Sequence, residues 1–374
     1  MYRRLAAHHQ IDVHLVVPVR DLRRWVSTDG AAGIDPLHAM YLETYGPHTR
    51  LQRVRGLGDV IRRVRPTHIL VDAEAATLLV RDVTGVARET GARVCVLTTE
   101  NRPRRFMREG LAAIVRGRPA LGVGGVLAWW LLRSARRSLD HVFTICEDGT
   151  QVMSALGFDG RVTQMPLGFD PDLFYPQSPE RIAATRARLA LHSPTVAYFG
   201  RLVREKGVDL LLRALADLRD LRWQFLIDRF VEYRTPYQRE IEQLIDTLGL
   251  TDRVVYFDAA HRDIPDYMNA ADIVVLPSIT TPTFKEQYGR VLPEAMACGT
   301  IVVGSSSGAL PELIGDAGFV FPEGDVAALT GLLRKLLASR AGELAPMREH
   351  AASRARAELS IVRQAAILAG HLAA

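Results

Sequence analysis

The chain has 374 residues, 48% of them apolar and 24% charged, with a formal net charge of +5. That composition is globular and excludes a disordered or fibrous chain, and the length suits two domains of roughly 150 residues each. Three cysteines, Cys95, Cys146 and Cys298, stand far apart, which excludes a disulfide framework or a paired-cysteine metal clamp and fits a reducing cytoplasm.

The charge is unevenly shared. Residues 1–165 hold 24 arginines and no lysine against 16 acidic residues, a balance of +8, while the remainder has 23 basic against 26 acidic residues, −3. A basic first half could attract an anionic acceptor, an acidic lipid surface or nucleic acid. The alternative is a solvated, arginine-rich surface, since lysine occurs only at 206, 285 and 335.

In chain order, residues 1–10 lack the apolar core of a signal peptide. Residues 2–9 read as a helix and 13–17 as a strand. A doubly wound domain ordinarily opens with a strand, a glycine-rich turn and then a helix. The pattern here lacks that first strand and its phosphate-facing turn, so the expectation is either further residues ahead of Met1 or a remodelled first sheet. Strands follow at 68–72, 94–98, 141–144 and 162–165, separated by helical stretches at 58–64, 76–89 and 127–138. The longest apolar run, 120–132, contains three glycines and falls short of the ~20 residues of a spanning helix. It reads as a buried or interfacial helix carrying Trp129 and Trp130.

Residues 166–176, dense in proline, glycine and aspartate, read as a linker. Beyond it, strands at 195–199, 223–227, 254–257, 273–276, 301–303 and 319–321 alternate with helices that include 208–218, 237–248 and 291–298. Such alternation builds parallel sheets from βαβ units. The expected fold is therefore α/β: two Rossmann-like, doubly wound parallel-sheet domains facing across a cleft. The expected divisions are 1–165 on the acceptor side, the linker 166–176, 177–355 as the donor domain, and a C-terminal helix, 356–374, returning to the first domain.

Two stretches carry chemistry. Phe199-Gly-Arg-Leu-Val-Arg-Glu-Lys-Gly207 lies between an apolar strand and an amphipathic helix. Gly200 permits a tight turn, and Arg201 and Lys206 set two cations beside a helix start, where a diphosphate is well seated. Glu286-Gln-Tyr-Gly-Arg-Val-Leu-Pro-Glu294 places two carboxylates eight positions apart, one on a loop and one in the next helix. Amides around Gly289 to Val291 would face an anionic or hydroxyl-bearing ligand.

Together with Leu276-Pro-Ser278, the run from Glu294 to Gly299, residues 302–308 and 315–325, and the linker's Gly168-Phe-Asp-Pro-x-Leu-Phe-x-Pro176, these motifs resemble the donor domain of glycosyltransferase family 4, also called glycosyl transferases group 1. The resemblance covers about residues 160–340 in detail and the first half only in outline. It implies a retaining, metal-independent hexosyltransferase of the GT-B fold that uses a nucleotide diphosphate sugar as co-substrate and no other cofactor. Gly200, Arg201, Lys206, Tyr288, Gly289, Arg290, Val291 and Glu294 would bind the donor. Within that set, Arg201 and Lys206 would neutralise the diphosphate and Glu294 would hold the ribose. Glu286, with the amides from Tyr288 to Val291, would hold the transferred sugar and stabilise an oxocarbenium-like transition state by position and charge. In the first half, Glu100 or Asn101 would face the anomeric centre, and Arg102, Arg104 and Arg105 would meet an acceptor phosphate; a solvated polar loop is the plainer reading.

The expected acceptor is a glycan, a lipid-linked intermediate or a small molecule. The site would be cytoplasmic, in peripheral contact with the inner face of a membrane, with no role for nucleic acid. Two other readings remain open: a catalytically silent nucleotide-sugar-binding protein, and a nucleotide-sugar epimerase or phosphorylase on the same fold. After the strand at 223–227 the family's Gly-x-Gly turn is replaced by residues 228–236. Asp170-Pro-Asp172 reads as a turn rather than a metal site, and the histidines, among them His38, His68, His141 and His261, show no ligand spacing.

Overall fold

A computed structural model of the chain describes residues 1–18, 38–47, 50–103, 106–228 and 235–373. Two compact units result, one from Met1–Pro166 with Gln364–Ala374 and the other from Leu167–Arg363.

The first unit opens with α1 (Tyr2–His9), β1 (His14–Pro18) and β2 (His38–Leu42), followed by the short strands β3 (Thr44–Tyr45) and β4 (Arg53–Val54) and by α2 (Leu57–Val64). Then come β5 (His68–Asp72), α3 (Leu78–Thr90), β6 (Arg93–Thr98), α4 (Phe106–Val115), α5 (Pro119–Ser138), β7 (His141–Thr144), α6 (Glu147–Met153) and β8 (Val162–Gln164). Helix α3 shows why these segments fold locally. Thr77 caps it by accepting a hydrogen bond from the Val80 amide, and Gly91 ends it in the left-handed region. Between those signals Val80, Val83, Thr84 and Ala87 form one buried stripe at helical spacing. That stripe packs with Val94, Val96, Leu131, Val142 and Phe158 in the core of the unit.

Strands β5, β6, β7 and β8 form one parallel sheet in chain order, whereas β1 pairs only with β2, in a separate parallel pair with His14 opposite His38. Among the described residues no strand joins the pair to the four-stranded sheet. Strand β2 is absent from the sequence reading because its five residues are only partly buried and show no alternation. Helix α5 begins at Pro119, well before the expected 127, because a proline at its start costs no hydrogen bond. Burial, and after it the charge of Asp72 at the end of β5, push the Tyr2 phenol up to about 12.

The second unit contains α7 (Pro179–Arg188), β9 (Thr195–Tyr198), α8 (Val208–Ala216), β10 (Gln224–Asp228), α9 (Pro236–Thr247), β11 (Val254–Phe257), α10 (Ile264–Ala270) and β12 (Ile273–Leu276). It continues with α11 (Val291–Ala297), β13 (Ile301–Ser305), α12 (Leu310–Ile314), β14 (Phe319–Phe321), α13 (Val326–Ala338), α14 (Ala341–Glu358) and α15 (Ile361–Leu372), the last of which runs on into the first unit. Its six strands are all parallel, in the order β11-β10-β9-β12-β13-β14. Every residue of β9, β12 and β13 is buried, as expected where helices cover both faces. The chain winds outward in one direction from β9 and in the other from β12. The gap between these two neighbours is the topological switch point, where doubly wound sheets bind ligands beyond their carboxyl ends.

The segment Asp170-Pro-Asp172 is a turn, closed by the Asp172 amide donating to Asp170 Oδ1 at 3.0 Å and the Phe174 amide donating to the Asp170 carbonyl at 2.9 Å. Of the departure from the family pattern at 228–236, residues 229–234 lie outside the described residues.

Candidate active site

The segment after β9 turns at once. Gly200 has φ 142°, and a Cβ there would stand 3.1 Å from the Tyr198 hydroxyl, which donates to the Arg201 carbonyl at 2.8 Å and pins the turn. Arg201 itself is exposed. Six residues on, Gly207 has φ 63°, and a Cβ would lie 2.2 Å from the Pro277 carbonyl oxygen. Only glycine lets this loop press against the end of β12. The Ile279 amide donates to the Glu205 carbonyl at 2.9 Å, so the loops after β9 and β12 are joined at the switch point.

Lys206 and Glu286, eighty positions apart, meet there. Lys206 Nζ lies 2.5 Å from Glu286 Oε2, and the Ser278 hydroxyl donates to the same oxygen at 2.6 Å. Both charged side chains are largely shielded, at 13% and 7% exposure, so the pair acts in a medium of low dielectric. The Glu286 backbone is fixed as firmly as its carboxylate. Its carbonyl accepts from the Ala309 amide at 3.2 Å, and a Cβ on Gly308, where φ is 56°, would fall 1.9 Å from that carbonyl oxygen. Tyr198, fully buried beneath the loop, has its phenol pushed well up by burial first and then by the charge of Glu286, with Arg201 opposing.

Further along, Tyr288 is buried, and Gly289, at φ 75°, lies where a Cβ would meet Leu310 Cδ2 at 2.5 Å and Leu276 Cδ2 at 3.0 Å. Arg290 is exposed and approaches Glu294 Oε1 with Nη2 at 3.8 Å. Val291 opens α11, and Glu294 sits buried in the first turn of that helix. Burial pushes the Glu294 carboxyl up to about 7, with the Arg290 charge drawing it partly back. A group poised there is about half ionised at neutral pH.

Glu100 and Asn101 belong to the first unit, beyond the end of β6. Both are buried, so the plainer reading of a solvated loop is corrected for these two positions. Their packing is close: the Glu100 amide donates to Thr98 Oγ1 at 3.2 Å, and a Cβ on Gly149 would stand 3.1 Å from the Glu100 carbonyl oxygen. Arg102 is half-buried, while Arg104 and Arg105 lie outside the described residues.

Sequence reasoning missed Ser278 and Gly308. Each lay within a motif or run already singled out, but nothing in their spacing points to Glu286. It also missed the meeting of His14 and His38. Their rings stack at 4.7 Å, and Asp12 approaches His14 at 3.2 Å and His38 at 3.7 Å, all three exposed. Parallel pairing of β1 with β2, not spacing along the chain, brings them together.

Residues 183–358 match the family described as glycosyl transferases group 1. A GDP-mannose-dependent alpha-(1-6)-phosphatidylinositol monomannoside mannosyltransferase of Mycolicibacterium smegmatis is 31% identical over 229 residues, 58% of this chain and 59% of that one. A D-inositol 3-phosphate glycosyltransferase of Xylanimonas cellulosilytica is 33% identical over 201 residues, 51% of this chain and 47% of that one. The chain spans about half the length of the curated relatives it matches. Among solved structures, a glycosyltransferase from Rickettsia africae superposes with a TM-score of 0.72 at 15% identity, covering 96% of this chain and 97% of that one. Anabaena HepE in complex with UDP and glucose gives 0.69 at 20% identity, covering 96% and 91%. At such identities the likeness shows the fold, GT-B with two Rossmann-like units. The stretch that resembles glycosyl transferases group 1 thus lies wholly within the second unit.

Proposed function

We propose that the protein is a retaining, metal-independent glycosyltransferase that moves a hexose-type sugar from a nucleotide diphosphate sugar to a lipid-linked, glycan or small-molecule acceptor. The observation that carries this reading is the shielded Lys206–Glu286–Ser278 cluster at the switch point of the second sheet. An ammonium has three donors, and Glu286 takes one, leaving Lys206 able to meet a diphosphate oxygen while it stays anchored. Arg201, exposed five residues earlier, supplies a second cation for the charge that grows on the leaving diphosphate. Cations held in place before the reaction need no reorganisation as that charge develops. Ionised Glu294 suits the paired hydroxyls of a ribose. Glu286, held by its backbone and by Ser278, suits the hydroxyls of the transferred sugar. The amides from Tyr288 to Val291 complete the donor seat.

Two of the relatives, by name, act on a phosphatidylinositol mannoside with GDP-mannose and on D-inositol 3-phosphate. Those names support a lipid-linked or small phosphorylated polyol acceptor. With a lipid-linked acceptor, the protein works at the cytoplasmic side of a membrane as a peripheral enzyme. The test is release of nucleoside diphosphate from GDP-mannose or UDP-glucose, with and without inositol-bearing acceptors. Acceptor-dependent release that Lys206→Ala abolishes supports the proposal. Donor binding without release under any acceptor would favour a catalytically silent binding protein.

A further inference from the structure

Helices α4 and α5 form a hairpin whose outer surface is unlike the rest of the protein. Eight of the fourteen large apolar side chains exposed among the described residues lie on it: Leu111, Ile114, Val115, Leu121, Val123, Val126, Trp129 and Trp130. They are concentrated at its tip, where Val115 is 87% exposed, Val123 65% and Leu121 61%. Apolar side chains singly exposed are ordinary, but a contiguous set marks a contact surface.

The charges around this patch specify the partner. Residues 106–138 contain six arginines, 108, 116, 118, 133, 136 and 137, and a single acidic residue, Glu109. Arg108, Arg116 and Arg118, with Glu109 the one acidic group among them, line an open cleft of about 500 Å³ beside Leu121 at the tip. Farther from the tip, Trp129 and Trp130 carry arginines over their rings, Arg133 at 5.8 Å and Arg81 at 4.4 Å. Val123 and Trp130 are separated by about 10 Å along a helix, which matches the roughly 5–10 Å to which interfacial helices sink. Exposed apolar side chains, arginines and tryptophans gathered on one hairpin suit the boundary between the acyl chains and the headgroups of an anionic lipid surface. The two helices pack closely. Gly110, Gly122 and Gly125 let them touch, since a Cβ on Gly125 would stand 2.7 Å from Gly110 Cα and one on Gly110 would stand 2.9 Å from the Gly122 carbonyl oxygen. No helix among the described residues is long and apolar enough to cross a membrane, so the hairpin can dip into one leaflet without spanning the bilayer.

We infer that the α4–α5 hairpin is the membrane-docking element of this protein and that it selects anionic phospholipid. This deepens the peripheral reading given above, and the experiment is arranged so that each can fail alone. The full chain is sedimented with vesicles of phosphatidylcholine and with vesicles of phosphatidylcholine mixed equally with phosphatidylglycerol, with no donor or acceptor present. The protein pellets with the anionic vesicles, and each arginine replaced, as in Arg116→Gln or Arg118→Gln, weakens the partition coefficient by roughly fivefold. Val115→Glu with Val123→Glu abolishes binding. Those side chains are exposed, so folding survives, and calorimetry with UDP and GDP gives unchanged nucleotide affinity. Vesicle binding without nucleotide binding sinks the transferase reading and leaves the hairpin standing. Absence of vesicle binding, or binding that the charged substitutions leave unchanged, overturns the inference. So does a dimer in sedimentation velocity that Val123→Glu dissociates while no form of the chain binds vesicles, because the patch would then be an interface between copies.

Discussion

Glu294→Gln separates the charge of the proposed ribose-binding carboxylate from its shape. The Glu294 carboxyl titrates at about 7 in the folded protein against an ordinary 4.5, chiefly because it is buried. If only the ionised form accepts the ribose hydroxyls, about one tenth of the protein is competent at pH 6 and about nine tenths at pH 8. Affinity for a bare nucleoside diphosphate should therefore rise roughly ninefold over that interval. Phosphate groups titrate near the lower end of the same range, so the decisive quantity is the difference between the wild type and Glu294→Gln, whose amide does not titrate. Stability moves the opposite way. For an acid whose folded pKa is raised, the stabilising contribution is complete below the unfolded pKa and is lost as pH rises through the folded one. Between pH 5 and pH 8 the wild type should lose about 2 kcal/mol relative to Glu294→Gln, a difference of several degrees in melting temperature for a unit of this size. Calorimetric titration with UDP or GDP and thermal melts at pH 5, 6, 7 and 8 measure both effects. Parallel pH curves for the wild type and the variant in both assays would refute the reasoning.

Three further outcomes follow from the same geometry. Arg201→Ala and Lys206→Ala should each reduce turnover at saturating donor by about 10²-fold or more, and near-wild-type rates in either would remove the diphosphate assignment. Lys206→Ala also strips a shielded carboxylate of its cation, at a cost on the order of 3 kcal/mol in thermal or urea unfolding. Adding Glu286→Ala should recover part of that loss, and an additive double mutant would contradict the pairing. Gly308→Ala should move the Glu286 backbone and lower transfer at least tenfold, because its Cβ would fall 1.9 Å from the Glu286 carbonyl oxygen. Gly324→Ala, also at positive φ but with open space around it, is the control, expected to cost about 1 kcal/mol and no activity. Glu286→Ala should spare nucleotide affinity and impair transfer, whereas Glu294→Ala should weaken nucleotide binding; equal losses in calorimetry would mean that the two roles are misassigned.

By itself the sequence determined the class of fold and marked the two segments, 199–207 and 286–294, that the structure brings together at the switch point. Apolar runs such as 195–198 and 273–276 are buried on both faces of a parallel sheet, and burial of that kind writes itself into composition. Glycines such as Gly200 and Gly207 occupy backbone conformations that few other residues tolerate, so they mark the turns wherever the chain goes next. Strand β2 left no such mark, because it is only partly buried and its partner is 24 positions away. Tertiary structure alone decided that Lys206, eighty residues from Glu286, meets Ser278 at one oxygen of the Glu286 carboxylate, and that two histidines meet across β1 and β2. It alone showed that the long apolar run at 120–132 turns much of its surface outward instead of into the core. Each of these is a contact or an exposure set by how strands pair and helices pack, and long-range pairing leaves no period in a one-dimensional pattern.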